Sequence, residues 1–288
     1  MSDALEFHKG EGGLSHAVID TPQAEAEIYL QGAHITRWIP AGQRAVLFTS
    51  ARSFFAPGKP IRGGVPLVFP WFGPRDGGLP GGGLPGPMHG YARIAEWTLE
   101  STRVRDDGAV ELHLTLPPVD AFQLSFHAVI GKQLEMELEV QNTSAEELTF
   151  EEAMHTYFAV SDIHQVSLSG LEGTDYLDKA DEFKRKRQPA EPIRIAKYTD
   201  QIHVNTGATC VIEDPAWARR IVIEKTNSAT TVVWNPWVDK TPGFADMAPE
   251  EWRDMLCVET ANAGENAIRL APHATHRMKA TIRSEPRP

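Results

Sequence analysis

A histidine and a glutamate in two separate apolar segments are the first candidates for chemistry. His155 lies inside Phe150–Phe158, and Glu259 ends the apolar run Met255–Val258. A carboxylate with such neighbours must be paired, hydrogen-bonded or shifted in its pKa, and an imidazole readily exchanges a proton near neutral pH. These residue types suit general acid/base catalysis. The simpler interpretation is a hydrogen-bonded core histidine and a strand-end glutamate that reaches water.

Two further segments carry an arginine in rigid surroundings. Arg62 precedes two glycines and the stiff apolar stretch Val65–Gly73, and Arg93 follows His89 by four residues. An extended backbone would place His89 and Arg93 on the same side. Guanidinium groups bind anions through several hydrogen bonds, so two arginines beside an imidazole and a carboxylate suit a small anionic substrate. Each arginine alone could also be a solvated surface residue.

Aromatic residues accompany these segments and could contact a sugar. Indole and phenyl rings stack on the apolar faces of sugar rings, although tryptophan is also a common core residue. The residues concerned are Trp71, Phe72, Trp234 and Trp237.

The elements that must position these side chains are mostly strands. Apolar and polar residues alternate over 110–116 and 134–140, as in strands with one wet face. Gly, Pro, Asn or Asp separates many such segments at spacings of about ten residues, which favours a sandwich or barrel. Further strands are predicted at 26–30, 45–47, 124–130, 149–159, 209–212, 220–225, 230–234, 255–260 and 276–283. A short helix is predicted at Pro249–Asp254, and no long polar linker divides the chain, so one domain is expected.

Composition excludes several classes of function. The 288 residues contain 28 Lys and Arg against 39 Asp and Glu, a net charge of −11 that argues against a nucleic-acid binder. No apolar run reaches the length of a membrane helix, the first residues lack the apolar core of a signal peptide, and Cys210 and Cys257 are too few for a disulfide framework. A reduced, cytoplasmic protein is expected.

Signatures for nucleotides, metals and a serine nucleophile are missing from the sequence. It contains no Walker A motif, no strand-borne GxGxxG, no HExxH, no Cys-x-x-Cys and no Ser nucleophile elbow. We therefore expect neither a cofactor nor a metal. The segment Arg75–Pro87 holds six glycines and three prolines, which is typical of a surface loop and compatible with a lid.

Several short motifs follow one another in a recognisable order between about residues 30 and 275. They are Arg62–Pro66, Pro70–Gly73, His89–Arg93, Glu151–Phe158, Gly170–Gly173 with Tyr176–Asp178, Thr199–Asp200, Val233–Trp237 and Cys257–Glu259. In this order the chain resembles the D-hexose-6-phosphate mutarotases (glucose-6-phosphate 1-epimerase family) of the aldose-1-epimerase, or galactose-mutarotase-like, superfamily. The two arginine motifs beside the His/Glu pair resemble the phosphorylated-sugar branch.

This resemblance implies a fold and a set of roles. The fold is an all-β, single-domain β-supersandwich over residues 1–288, with its core at about 20–284, in which two large antiparallel sheets form a substrate groove and helices are few and short. The implied roles are His155 as general acid, Glu259 as general base, Arg62 and Arg93 as phosphate-binding residues and Asp200 as a ligand of sugar hydroxyls. Met88, His89, Trp71 and Trp234 complete the expected substrate contacts. Met88 replaces a residue that is often polar in this family, so a side-chain hydrogen bond is not expected there.

The expected function is a cofactor-independent interconversion of the α and β anomers of a hexose 6-phosphate, with glucose 6-phosphate as the first choice. The expected partner is a small sugar phosphate, with no nucleic acid and no membrane, and the protein is expected to be a monomer in the cytoplasm. The alternatives are an aldose 1-epimerase for unphosphorylated sugar, a glycosidase that uses a second carboxylate such as Asp200 or Glu151, and a non-catalytic carbohydrate-binding protein.

Overall fold

The computed structural model describes residues 4–75 and 85–287, and most of them lie in antiparallel strands. The strands, in chain order, are β1 (Leu5–Lys9), β2 (Ser15–Asp20), β3 (Ala24–Tyr29), β4 (His34–Pro40), β5 (Leu67–Val68), β6 (Thr98–Val104), β7 (Val110–Val119), β8 (Phe122–Ile130), β9 (Gln133–Asn142), β10 (Leu148–Phe150), β11 (Glu152–Met154), β12 (Tyr157–Ala159), β13 (Ser167–Ser169), β14 (Asp175–Asp178), β15 (Lys184–Arg187), β16 (Thr199–Val204), β17 (Cys210–Asp214), β18 (Arg219–Thr226), β19 (Thr230–Asn235), β20 (Met255–Asn262), β21 (Ile268–Leu270) and β22 (Thr275–Pro286).

One large sheet, which we call the long-strand sheet, has the order β13-β17-β18-β22-β9-β8-β7-β6. Its central strands β7, β8, β9 and β22 are 9 to 12 residues long. Burial alternates residue by residue along β8 and β9, with Leu124, Phe126, Leu134 and Leu138 fully buried. The period-two pattern of the sequence therefore reports a sheet with one face on the core and one face in water.

The second large sheet, the site sheet, has the order β15-β14-β16-β19-β20-β11-β5, and β12 also pairs with β20. Its strands are short except for β20, and every residue of β20 is buried. The predicted strand 149–159 is wrong as one element, since the chain forms β10, β11 and β12 with a break at His155 and Thr156. The backbone N–H of Thr156 donates to the carbonyl oxygen of Met154 at 2.8 Å, which bends the chain at this break.

The two large sheets share one core. Inward side chains of the long-strand sheet, such as Phe126 and Leu138, belong to the same buried cluster as Phe158, Val233 and Val258 of the site sheet. A four-stranded sheet, β1-β2-β3-β4, and the pair β10-β21 complete the strand structure. The architecture is the predicted single all-β sandwich built on two large antiparallel sheets.

Helical structure is limited to short pieces in the described residues. The α-helix α1 covers only Trp237–Lys240, and the predicted helix at Pro249–Asp254 is instead a 3₁₀ turn over Glu251–Asp254. Residues 45–47, predicted as a strand, contribute one isolated bridge from Leu47 to Phe158. The other 3₁₀ turns are Glu11–Gly13, Ala92–Ile94, Lys179–Asp181, Thr241–Gly243 and Gly264–Asn266.

Two expectations concern features outside the strands. None of the described helices has the length and apolar character needed to cross a membrane. Residues 76–84 of the Gly/Pro-rich segment lie outside the described residues, and the lid hypothesis falls on them. At its ends, the N–H of Gly86 donates to the carbonyl oxygen of Arg75 at 3.2 Å.

Candidate active site

A cleft of about 240 Å³ opens on one face of the site sheet, over β16, β19, β20 and the break between β11 and β12. The pairing register explains why its polar side chains meet. Asp200 pairs with Trp234, Trp234 with Cys257, and Cys257 with Tyr157. Side chains two residues apart on a strand share a face, so His155, Glu259 and Asp200 lie on the face that forms the cleft floor.

His155 and Glu259 are cross-strand neighbours. The pairs Met154–Thr260 and Tyr157–Cys257 flank the break in β11 and β12 and keep one register, which sets His155 opposite Glu259. The imidazole Nε2 lies 3.4 Å from Glu259 Oε1. His155 is 8% exposed and Glu259 is 1% exposed. Two residues 104 positions apart in sequence thus form one buried acid/base pair, as opposed cross-strand residues do.

The loop before β5 holds the break in place. The N–H of His155 donates to the carbonyl oxygen of Pro66 at 3.0 Å, and the N–H of Tyr157 donates to that of Gly64 at 2.9 Å. Gly64 has φ +58°, and a Cβ there would lie 2.2 Å from the carbonyl oxygen of Ile35. Only glycine fits this close approach, which gives the Gly-Gly pair after Arg62 a structural reason.

Aromatic rings surround the His155 imidazole. Tyr157 stacks on it, with ring centroids 4.8 Å apart and planes 9° from parallel. His89 and Trp234 present their rings edge-on at 5.5 Å and 6.2 Å. These contacts fix the ring orientation while the cleft side stays open.

Burial shifts both members of the pair toward their neutral forms. It lowers the pKa of His155 well below its usual value, and the neighbouring His89, Arg93 and Arg62 act in the same direction. Burial raises the pKa of Glu259 well above its usual value, and the charge of Asp200 adds to that shift. The empty cleft therefore favours a protonated Glu259 beside a neutral His155.

Arg62 is held by a carboxylate inside the cleft. Its Nε and Nη2 donate to the two oxygens of Asp246 at 3.2 and 3.1 Å, and its Nη1 donates to the Tyr157 hydroxyl at 3.1 Å. The guanidinium also lies over the Phe244 ring at 4.7 Å. Arg62 is thus oriented on three sides, and Asp246 balances its charge.

Arg93 has a different environment. Its Nη2 donates to the carbonyl oxygen of Met88 at 2.6 Å, while its Nε is buried without a hydrogen-bond partner among the described residues. Among those residues no carboxylate lies within ion-pair distance of it. Burial lowers the pKa of Arg93 to about 10, so it remains a cation at neutral pH. Arg93 is the cleft cation best placed to receive an anion.

His89 serves as a neutral hydrogen-bond donor. Its Nδ1 accepts the N–H of Gly73 at 3.1 Å, so its proton belongs on Nε2. Burial, reinforced by Arg93, lowers the pKa of His89 to about 3. The turn is tight, because a Cβ on Gly90 would lie 1.9 Å from the carbonyl oxygen of Phe69. The His-Gly motif therefore presents a fixed N–H.

Asp200 reaches the cleft as part of a charged pair that the sequence analysis did not identify. Lys179 Nζ lies 3.0 Å from Asp200 Oδ2, and the Tyr198 hydroxyl donates to the same oxygen at 3.2 Å. Lys179 directly follows the motif Tyr176–Asp178, which is the signal that could have suggested it. The other unpredicted lining residues with polar groups are Tyr157 and Asp246.

Carboxyl groups offset most of the positive charge that lines the cleft. A net charge of −11 together with two arginines for a phosphoryl group implies a positive groove on a negative surface, but the described lining holds as many carboxyl groups as cations. They are Arg62, Arg93 and Lys179 against Asp200, Asp246 and Glu259. Asp246 offsets Arg62 and Asp200 offsets Lys179, so with Glu259 protonated the positive potential is local to Arg93.

The remaining predicted contacts divide between the cleft and its outside. Met88 lies at the rim, 49% exposed, and contributes its carbonyl oxygen to Arg93. Trp234 lines the cleft, but Trp71 is absent from the lining. Trp71 packs edge-on against Tyr91, lies under Arg75, and donates to the carbonyl oxygen of Pro87 at 3.0 Å. Within residues 4–75 and 85–287, no three His, Cys, Asp or Glu side chains come together as metal ligands would.

Comparison with known proteins identifies the family of this chain. The family described as "Aldose 1-epimerase" matches residues 15–283. An Escherichia coli (strain K12) protein named "Putative glucose-6-phosphate 1-epimerase" is 38% identical over 261 residues, 88% of this chain and 84% of its own length. A protein of the same name from Cenchrus ciliaris is 30% identical over 99% of this chain and 89% of its own length.

A solved structure extends the likeness to the fold. The crystal structure of a "putative mutarotase" from Salmonella typhimurium superposes with a TM-score of 0.89 at 31% identity, over all of this chain and 95% of that one. Galactose 1-epimerase from Lactobacillus acidophilus NCFM shares the fold at a TM-score of 0.74 and 13% identity, over 99% of each chain. The chain belongs to the aldose 1-epimerase family and is an isomerase-type enzyme that acts on sugars.

Proposed function

We propose that the protein interconverts the α and β anomers of a hexose 6-phosphate, with glucose 6-phosphate as the first substrate to test. The observation that carries this proposal is one cleft with the His155–Glu259 pair on its floor and the unneutralised Arg93 beside it. An acid/base pair is what ring opening of a cyclic aldose requires. A cation without a carboxylate partner is what a phosphoryl group requires. The names of the relatives support the same substrate.

Ring opening proceeds by two coupled proton transfers. Glu259, as carboxylate, removes the proton of the C1 hydroxyl, and His155, as imidazolium, donates a proton to the ring oxygen. The C1–O5 bond breaks to leave the aldehyde, and rotation about C1–C2 presents its other face. Reversed transfers then close the ring as the other anomer. Each catalytic group typically contributes about 10²–10⁴-fold to the rate. The chemistry requires no cofactor.

The phosphoryl group positions the sugar. Arg93 and the free N–H groups of Arg62 bind its oxygens, and the ring then lies over the His155–Glu259 pair. Asp200, held by Lys179 and Tyr198, accepts hydrogen bonds from sugar hydroxyls. Fixing the reacting atoms in this way lowers the entropic part of the barrier.

One observation favours a second candidate, an aldose 1-epimerase for unphosphorylated sugar. Asp246 already satisfies one edge of Arg62, so this arginine offers a phosphoryl group less charge than a free guanidinium. A glycosidase has less support, because its second carboxylate would be Asp200, already paired with Lys179, or Glu151. Glu151 accepts the N–H groups of Phe72 and Gly264 and is absent from the cleft lining.

Anomer-exchange NMR tests the proposal directly. Two-dimensional exchange spectra of glucose, mannose and galactose 6-phosphates and of the free sugars are recorded with the protein and with Glu259→Gln as the matched control. We expect exchange of at least one sugar phosphate far above the spontaneous rate and above that of its free sugar. Equal exchange of the free sugar would favour the second candidate. No exchange of any sugar would favour a carbohydrate-binding protein and overturn the proposal.

A further inference from the structure

In the empty cleft the shared proton lies on Glu259, whereas ring opening requires it on His155. The proposed mechanism starts from a Glu259 carboxylate and a His155 imidazolium. Among the described residues, however, His155 Nδ1 and Glu259 Oε2 are buried without a hydrogen-bond partner. As an ion pair, the imidazolium would leave an N–H unsatisfied and the carboxylate would leave an oxygen unsatisfied. The neutral pair leaves the same two atoms without partners, but an unsatisfied buried group costs more free energy when it is charged, so the geometry favours the neutral pair.

The charged groups around His155 reinforce this preference. On the phosphate side, Arg62 is linked to it through the Tyr157 hydroxyl and ring, and Arg93 is the unneutralised cation. Neutral His89 faces it edge-on. On the other side lies Glu259, with Cys257 on the same strand. Arg93 thus acts against an imidazolium, Arg62 does so less because Asp246 balances its charge, and a Glu259 carboxylate acts for it.

Glu259 has the opposite surroundings. The charged groups that affect it most are the paired Asp200 and Lys179, followed by Arg93. Asp200 repels a carboxylate at Glu259, and Lys179 and Arg93 attract it. An anion bound at Arg62 and Arg93 lies on the His155 side of the pair, because Arg62 donates to the Tyr157 hydroxyl and the Tyr157 ring stacks on His155. Such an anion favours the imidazolium more than it disfavours the carboxylate, because electrostatic energy falls with distance.

We propose that the phosphoryl group of the substrate, bound at Arg62 and Arg93, shifts the proton from Glu259 to His155. The phosphoryl group thereby generates the imidazolium that acts as the general acid. This inference rests on the proposed function. The Oε–H bond of Glu259 breaks and an Nε2–H bond forms on His155 across the 3.4 Å contact. The number of protons in the cleft is unchanged, and nothing is oxidised or reduced. A free sugar that occupies the cleft leaves the pair neutral and is turned over slowly.

The first experiment observes His155 itself. The full-length protein is labelled with ¹⁵N-histidine, the His155 signals are assigned with His155→Gln, and inorganic phosphate is titrated at pH 7. We expect neutral imidazole shifts without phosphate and imidazolium shifts at saturation, with Arg93→Met abolishing the change. An imidazolium in the free protein, a neutral His155 in the phosphate-saturated protein, or no phosphate binding would each overturn the inference.

The second experiment measures the consequence for turnover. Exchange of free glucose is followed with and without sodium sulfate, a dianion too weakly basic to open the sugar ring itself. We expect sulfate to accelerate exchange by about 10-fold or more, because a general acid typically contributes about 10²–10⁴-fold. Neither Arg93→Met nor Glu259→Gln should respond. Absence of acceleration in the unmodified protein would overturn the inference.

Glucose 6-phosphate exchange on the same sample separates the two proposals. If glucose 6-phosphate anomers exchange but the His155 shifts do not change with phosphate, only the proposed proton transfer is refuted. No exchange of any sugar phosphate defeats the proposed function.

Discussion

The two large sheets of this protein differ in regularity, and the difference corresponds to their roles. The long-strand sheet pairs β7, β8 and β9 almost without interruption and alternates buried and wet side chains. The site sheet has short strands, a break at His155 and a central strand, β20, that is buried throughout. Polar groups such as Glu259, Thr260 and Asn262 are buried in that strand.

This contrast distinguishes the sheet that supports the fold from the sheet that carries the candidate site. Alternation solvates one face of the long-strand sheet, so its charged residues face water and pair there, as Lys279 does with Glu135 at 2.6 Å. The site sheet instead buries charged groups next to one another and shifts their pKa values. Stability should therefore depend mainly on the first sheet and chemistry on the second.

The largest effect is expected at Glu259, the proposed general base in the site sheet. Glu259→Gln keeps the shape of the carboxyl group but cannot accept the C1 proton, so anomer exchange should fall by about 10²–10⁴-fold or more. The melting temperature should change little, because the buried carboxyl is already neutral. Exchange NMR and thermal unfolding measure both. His155→Ala should also abolish exchange, and exchange above the spontaneous rate in either variant would refute its role.

The opposite effect is expected in the long-strand sheet. Phe126 is fully buried there, and Phe126→Ala should lower the free energy of unfolding by about 3–5 kcal/mol because it removes contacts and leaves a cavity. Below its melting temperature the variant should keep its kcat, measured by the same exchange experiment alongside urea unfolding. Lys279→Ala on the wet face is the matched control and should cost about 1 kcal/mol or less. A large loss of kcat in folded Phe126→Ala would contradict the division of roles.

Acid should destabilise the site sheet through its buried histidines. Burial lowers the pKa of His203 on β16 to about 4, so the unfolded chain binds its proton first as the pH falls. The contribution of neutral His203 to the free energy of unfolding is fully present above pH 6.5. It should be lost between about pH 6.5 and 4, by up to about 3 kcal/mol. Unfolding measured against pH should show a shallower acid loss for His203→Gln. An unchanged slope in that variant would assign the acid sensitivity elsewhere.

The smallest of these effects is expected for substrate affinity at Arg62. Arg62→Ala should raise KM for glucose 6-phosphate by about 10–100-fold, since a charged hydrogen bond is worth about 1.5–3 kcal/mol, and should raise KM for free glucose much less. Removing Arg62 also leaves Asp246 unpaired, so the control is Arg62→Ala combined with Asp246→Asn. If that double variant recovers the original KM, Arg62 does not bind phosphate. Equal effects on both sugars would lead to the same conclusion.

Sequence reasoning succeeded most fully in the long-strand sheet. Residues 134–140 alternate with period two and form part of β9. The alternation is visible in the sequence because a strand that is buried on one face has apolar residues at every second position. In the site sheet, burial on both faces removes the alternation, and the segment 149–159 was predicted as one strand. The helix at Pro249–Asp254 was predicted from its proline and acidic residues, yet it is a 3₁₀ turn too short to be specified by local preferences alone.

The same limit of prediction from sequence applies to the candidate site. The motifs named His155, Glu259, Arg62 and Arg93, and the structure places all four in one cleft. Lys179 was missed because it occupies an ordinary charged segment, and its importance comes only from its contact with Asp200. Trp71 was named for its residue type, but its ring packs outside the cleft lining.

By itself, the sequence determined the all-β class and the family of this protein, because the periodicity of its strands and the order of its motifs can be read directly along the chain. Only the tertiary structure decided that His155 faces Glu259, that Asp246 neutralises Arg62 while Arg93 keeps its charge, and that Lys179 pairs with Asp200. Each of these is a contact between residues far apart in the chain. The strength of each contact depends on how deeply the paired groups are buried, and in the site sheet the local pattern does not give that depth.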